Sequence, residues 1–146
     1  MRRLPRVISP ITPLLTRDSV QVALLSVELW PDQVVVRLAG LPDDALSQHA
    51  KAYSEELEEW GSRPEPDAGH RPPSQPAEAI YEFEVGLADD VGTDYRLTGS
   101  ARGGTGHLFR AEWLFAPGAP ETAHELHIVA AMGQPDAATA VVRLPN

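Results

Sequence analysis

The chain of 146 residues contains no cysteine. That absence removes disulfides, thiolate nucleophiles, and cysteine-based zinc or iron–sulfur sites, so stability has to come from packing. Lysine is nearly absent too, with Lys51 alone beside eleven arginines, and the formal net charge is -9. Such a balance excludes a general affinity for nucleic acid or anionic membranes, which depends on an excess of Lys and Arg. No run approaches the roughly 20 apolar residues of a membrane helix. The opening segment begins with arginines, as a secretory signal does, but Pro5, Pro10 and Pro13 interrupt its apolar stretch and no small-residue cleavage motif follows. It reads as an ordered or semi-ordered arm, residues 1–18, and the expected location is cytoplasmic, without direct membrane insertion.

What is present is period-two alternation. Apolar residues recur at Tyr81, Phe83, Val85 and Leu87, at Phe109, Ala111, Trp113 and Phe115, and at Leu126, Ile128, Ala130 and Met132. A closing run holds Ala140, Val142 and Leu144. Each set falls on one face of a strand. Further back, Ser19 to Trp30 changes phase at Leu24–Leu25, which signals a bulge or burial on both faces. The turn Trp30-Pro31-Asp32-Gln33 then sends Gln33 to Ala39 back as the second arm of a hairpin.

After Gly40 the period changes. Leu46, Ala50, Tyr53, Leu57 and Trp60 draw one stripe of a helix over about Asp44 to Glu59, with Asp43 or Asp44 as N-cap and Gly61 as stop. Glu55, Glu56, Glu58 and Glu59 crowd its C-terminal end, where the helix dipole disfavours anions by a few tenths of a kcal/mol each. An Arg-bearing surface would relieve that cost, and Arg63, Arg71 or the arginines of the basic arm (Arg2, Arg3, Arg6, Arg17) are candidates within the chain, whereas the plainer reading is a solvated helix face. Gly61 to Glu78 holds five prolines and no large apolar residue, so it reads as a flexible connection. Helix and connection, residues 43–78, form an insertion in a single domain spanning 19–146.

No constellation carries a catalytic signature. The glycine loop Gly99 to Gly106 lacks the Gly-Lys-Ser/Thr ending of a phosphate cradle and precedes a strand, so it reads as a hairpin loop. His124 and His127 are three apart in a predicted strand and face opposite ways, which does not suit a shared metal. Asp89, Asp90 and Asp94 are explained by turn chemistry without calcium. Ser26 and Ser100 lack a nucleophile context. Glu82, Glu84 and Glu112 occupy polar strand phases as solvated side chains. The expectation is a non-enzyme with no catalytic residue, no metal and no cofactor. Most aromatics lie on inward phases, whereas Trp30 at a turn and Trp60 at the helix end are placed to anchor a partner.

The stretches S-V-E-L-W-P-D-Q-V-V-V at Ser26–Val36, D-D-V-G-T-D-Y at Asp89–Tyr95 and F-R-A-E-W-L-F-A-P at Phe109–Pro117 resemble the small immunoglobulin-like β-sandwich domains of unknown function in actinobacterial proteins. With a short strand at Asp94 to Thr98 around Tyr95 and Leu97 added to the alternating runs, two strands before the insertion and five after it give the expected fold: a mainly β, antiparallel immunoglobulin-like sandwich of about seven strands with one inserted helix. The expected function is a protein-interaction or scaffold module. Its surfaces are strand edges, or the helix acids Glu55, Glu56, Glu58 and Glu59, together with Trp30 and Trp60. The partner is an unknown protein, basic or a second copy, with no nucleic acid. A small-ligand or carbohydrate binder is the alternative.

Overall fold

The structure, a computed structural model, describes residues 4–17, 19–41, 44–62, 73, 80–103, 109–135 and 137–145, without the side chains of 44–46. The described residues form strands β1 (Arg6–Ile8), β2 (Thr12–Arg17), β3 (Val20–Leu29) and β4 (Val34–Gly40), then helix α1 (Asp44–Gly61). Strands β5 (Val85–Asp89), β6 (Arg96–Gly103), β7 (Arg110–Ala116), β8 (Glu125–Ala130) and β9 (Ala138–Arg143) follow. All pairings are antiparallel. Sheet A runs β1-β3-β4-β7-β6, with β2 also on β3, and sheet B runs β5-β8-β9. The fold is mainly β and sandwich-like.

Alternation explains the core. Val20, Val22, Leu24, Val34, Val36, Leu38, Ala111, Trp113 and Phe115 of sheet A, with Phe109 just before β7, share one buried cluster with Leu126, Ile128, Ala130, Ala140 and Val142 of sheet B. The β3–β4 hairpin is closed by the Trp30 amide donating to the Gln33 carbonyl at 2.9 Å. Its pairing shifts between Leu24 and Ser26, so Leu25 is the extra residue that the change of phase announces. Ala23 and Val35, on the opposite phase, are buried as well.

Four expectations are corrected. The segment Tyr81–Glu84 is not a strand, although Tyr81, Phe83 and Val85 are buried in alternation. Its polar backbone is satisfied outside a ladder. The Phe83 amide donates to the Tyr81 carbonyl at 2.8 Å, Arg102 Nη1 donates to the same carbonyl, and the Met132 amide donates to the Glu84 carbonyl. Tyr81, Phe83 and Trp113 pack as an aromatic triad with centroids 5.9–6.1 Å apart. Second, Gly99 to Gly103 is strand rather than loop, because β6 continues to pair with β7 as far as Gly103 opposite Arg110. Third, Met132 is 45% exposed, since the chain leaves the sheet at Ala131 (φ 58) and Gly133 (φ 76). Fourth, the described strands number nine rather than seven, because the arm supplies β1 and β2 along the edge of β3.

Helix α1 begins at Asp44 as expected and runs two residues beyond Glu59. Its last carbonyls are met by Ser62, whose amide donates to Glu58 and Glu59 and whose hydroxyl donates to Glu59 at 2.8 Å. Ala50 packs on the core, Tyr53 and Trp60 are half-buried, and Leu57 is exposed. Most of the connection after Ser62 lies outside the described residues.

Candidate functional site

The outer face of sheet A collects charge across three strands. Arg37 on β4 stands directly opposite Ser26 on β3 and Glu112 on β7, and diagonal to Glu28. Its Nε donates to Glu28 Oε2 at 2.8 Å, its Nη1 donates to Glu112 Oε2, and Trp30 Nε1 donates to Glu28 Oε1 at 3.1 Å. One cation thus sits between two anions, with the indole completing the shell of the first. The Arg37 hydrogen bond holds the Glu28 carboxyl below its ordinary value against partial burial, and Glu28 raises Arg37 in turn.

Beside this network lies a depression of about 260 Å³, lined by Leu25, Arg37, Ala101, Gly103, Arg110 and Glu112 among others. It opens next to β6, whose one partner among the described residues is β7. Six of the eight β6 residues are exposed, including Leu97 at 53%. Arg96 and Arg102 on β6, with Arg110 beside it, make this edge locally basic in an acidic protein. The strand has no proline to block further pairing, whereas the arm at the opposite edge carries Pro5, Pro10 and Pro13. Sequence reading places a short strand at Asp94 to Thr98, around Tyr95 and Leu97, but missed its continuation to Gly103 because Gly99–Gly103 looked like loop.

The residues expected to bind a partner are dispersed. Glu55, Glu56, Glu58 and Glu59 are all exposed on α1, whose last turn has no basic residue. Trp60 is half-buried at the end of the helix. Trp30 is half-buried, engaged to Glu28, and lines a broad groove of about 770 Å³ with Pro31, Pro120, Pro145, Arg6 and Glu121. Of the arginines expected to meet the helix acids, Arg6 donates to the Pro145 carbonyl, Arg17 donates to Gln134 and lies 5.5 Å over the Phe83 ring, and Arg2, Arg3, Arg63 and Arg71 lie outside the described residues.

The acids tested for chemistry have structural work. Asp89 Oδ1 accepts from the Val91 and Thr93 amides, each at 3.0 Å, and Oδ2 accepts from the Tyr95 hydroxyl at 2.8 Å. Burial pushes the Asp89 carboxyl up, but these hydrogen bonds together outweigh it and hold the group below its ordinary value. Asp90 accepts from the His124 and Glu125 amides and is likewise lowered by them. His127 is bonded to Glu125. Glu82 and Glu84 line a separate depression from Glu112. Among the described residues, no three of His, Asp and Glu are grouped to hold a metal ion, and no described helix is long and apolar enough to cross a membrane.

No protein-family model matches the chain, and no curated protein matches its sequence. Among solved structures, the crystal structure of the conserved domain protein from Bacillus anthracis is similar at 10% identity with a TM-score of 0.49. The alignment covers 97% of this chain and 49% of that one, so this chain spans about half its length.

Proposed function

We propose that the protein is a non-enzymatic interaction module on an immunoglobulin-like sandwich, and that it receives an extended segment of a partner protein along β6. The strand order supports the fold half of this reading. The run β3-β4-β7-β6 and the run β5-β8-β9 follow the A-B-E-D and C-F-G order of constant-type domains. On that mapping, the helix and proline-rich connection enter between the second and third strands, and the arm strands add to the first. The buried Trp113 lies on the fifth strand rather than the third, which departs from antibody domains.

The observation that carries the function is the proline-free β6 edge, unpaired on its outer side among the described residues, with a depression beside it. Backbone hydrogen bonds along such an edge supply affinity, and a neighbouring pocket for one side chain supplies selectivity. Arg96, Arg102 and Arg110 favour an acidic segment. The exposed helix acids Glu55, Glu56, Glu58 and Glu59 offer a second surface of opposite preference, suited to a basic partner. A small-ligand reading is favoured by one feature, the Trp30 groove.

Co-purification from the native host with two variants separates these readings. Ala101→Arg fills the depression from an exposed position. It is expected to lose the partner, while joint replacement of Glu55, Glu56, Glu58 and Glu59 by Gln retains it. The reverse result assigns the helix instead. Trp fluorescence that responds to a sugar or metabolite, and is lost in Trp30→Ala, favours the ligand reading.

A further inference from the structure

The arm lies outside the seven strands just mapped, yet it completes an edge of sheet A. β1 pairs with Val27–Leu29 and β2 with Val20–Leu24, end to end on the same side of β3. Its side chains contribute little burial. Leu15 is buried and Ile8 and Leu14 are half-buried against the core, while Leu4, Val7 and Ile11 are 87%, 59% and 62% exposed.

Two links in the arm adopt the left-handed region without glycine. Ile11, between β1 and β2, has φ 43, and Ser19, between β2 and β3, has φ 67. For a β-branched residue this is an outlier, and Ile11 is exposed, so no burial of its own side chain offsets it. Ser19 sits in the short link between Arg17 and Val20, which are directly paired. Links of that length ordinarily use Gly, Asn or Asp where φ is positive.

The arm's contacts go to residues that a second copy also offers. They include the β3 edge, β9, Pro145 for Arg6, and Gln134, Glu82 and Phe83 for Arg17. Exchange between two copies keeps those bonds and releases the Ser19 conformation when the link extends. Strained short hinges favour such exchange. Pairing of two arms edge to edge is the poorer route, because Pro10 and Pro13 lack the N–H groups it needs. From the strained Ser19 link and a lightly buried arm, we infer that Arg6–Arg17 is an exchangeable element through which two copies of the chain form an arm-swapped dimer. This goes beyond the β6 reading and does not depend on it.

The cysteine-free sequence permits a clean test. Thr16 and Gln21 are exposed and directly opposite across β2 and β3. Directly paired antiparallel positions have Cα atoms about 4.5–5.5 Å apart, within disulfide reach. The double variant Thr16→Cys/Gln21→Cys is equilibrated over a dilution series just below its melting temperature, then oxidised and run on a denaturing non-reducing gel. Closed molecules give linked monomers, whereas swapped molecules give linked dimers. The expected result is a linked-dimer fraction that rises with concentration and falls roughly threefold to tenfold when Ser19→Gly is added, because glycine accepts positive φ freely. Ser19→Pro, which fixes φ near about -65° and cannot close the link, is expected to raise it. Linked monomers alone at every concentration overturn the inference, as does a native dimer whose chains separate as linked monomers. Should Ser19→Pro not fold, the native hinge and Ser19→Gly decide the question between them.

Discussion

The Arg37 guanidinium donates from Nε to Glu28 Oε2 at 2.8 Å and thereby ties the middle of β4 to β3 on the outer face of sheet A. Arg37→Met removes the cation and leaves Glu28 and Glu112 as neighbouring anions. Hydrogen bonds to charged groups contribute about 1.5–3 kcal/mol. The Arg37 side chain is 42% exposed, so screening reduces the expected loss to about 1–2 kcal/mol in urea unfolding. The sign of the pH dependence follows from Glu28. Its folded-state value lies below the ordinary 4.5, so this stabilisation is present above the ordinary glutamate range and is lost as pH falls through the lower, folded value. Arg37→Met is expected to flatten that acid-side slope; an unchanged slope contradicts the assignment.

Asp89 holds its turn through three donors, and replacing it discriminates turn chemistry from an idle surface acid. Asp89→Ala is expected to cost about 1–3 kcal/mol, since the Val91 and Thr93 amides and the Tyr95 hydroxyl lose their acceptor. Tyr95→Phe removes one of the three bonds and should cost about 0.5–1.5 kcal/mol. Because the Asp89 carboxyl is held below 3.8 in the folded state, its contribution also fades only on acidification below the ordinary aspartate range. Denaturant titrations of both variants at neutral and acid pH provide the check.

Two glycines predict opposite outcomes for the same substitution. A Cβ at Gly118 would lie 2.5 Å from the Pro31 carbonyl oxygen and 2.8 Å from that of Trp30. Backbone cannot rotate away as a side chain can, so Gly118→Ala is expected to lower stability by about 1–3 kcal/mol. Gly99 on β6 has open space at the same position, and Gly99→Ala should be neutral or stabilising by up to about 1 kcal/mol. Melting temperatures of the pair give the comparison.

The Tyr81 hydroxyl donates to the Phe109 carbonyl at 2.7 Å inside the core, and burial raises its phenol well above the ordinary value. The same carbonyl also accepts from the Gly40 amide, so Tyr81→Phe does not orphan it. The expected cost is therefore only about 0.5–1.5 kcal/mol. Trp113→Ala, which empties the centre of the aromatic triad, should cost about 3–5 kcal/mol. A larger penalty for the first than the second would contradict the triad as the centre of packing.

The readable parts of the fold were those with a local cause. The β3–β4 hairpin follows from the Trp30–Gln33 turn, and α1 follows from its stripe and terminal signals. The turn after β5 follows from Asp89 and Gly92 (φ 79), which needs a residue without Cβ. The inward phases of β7, β8 and β9 also hold. Tyr81–Glu84 misled because alternation reports which side chains are buried, not whether the backbone has a strand beside it. Gly99–Gly103 misled in the other direction, since glycine is disfavoured in strands by entropy and by lost packing, yet pairing with β7 overrides that preference.

The outer-face site was less legible. Glu28, Arg37 and Glu112 each occupy a polar strand phase, and nothing local joins Arg37 to Glu112, 75 positions apart in the chain. Only the β3-β4-β7 register aligns them. The same holds for the β6 edge, since β6 ends the sheet path and β7 is its one partner among the described residues.

By itself, the sequence determined the β3–β4 hairpin, the helix α1 and the buried faces of β7, β8 and β9, because periodicity, φ preference and capping act within a few residues. It also excluded thiol chemistry outright, having no cysteine. Tertiary structure alone decided that the arm becomes two strands on β3, that Tyr81–Glu84 stays outside both sheets, and that three distant charges meet on the face of sheet A near β6. Those outcomes rest on pairing between remote segments, where the closing of long loops is offset by the burial of both sheets against one core.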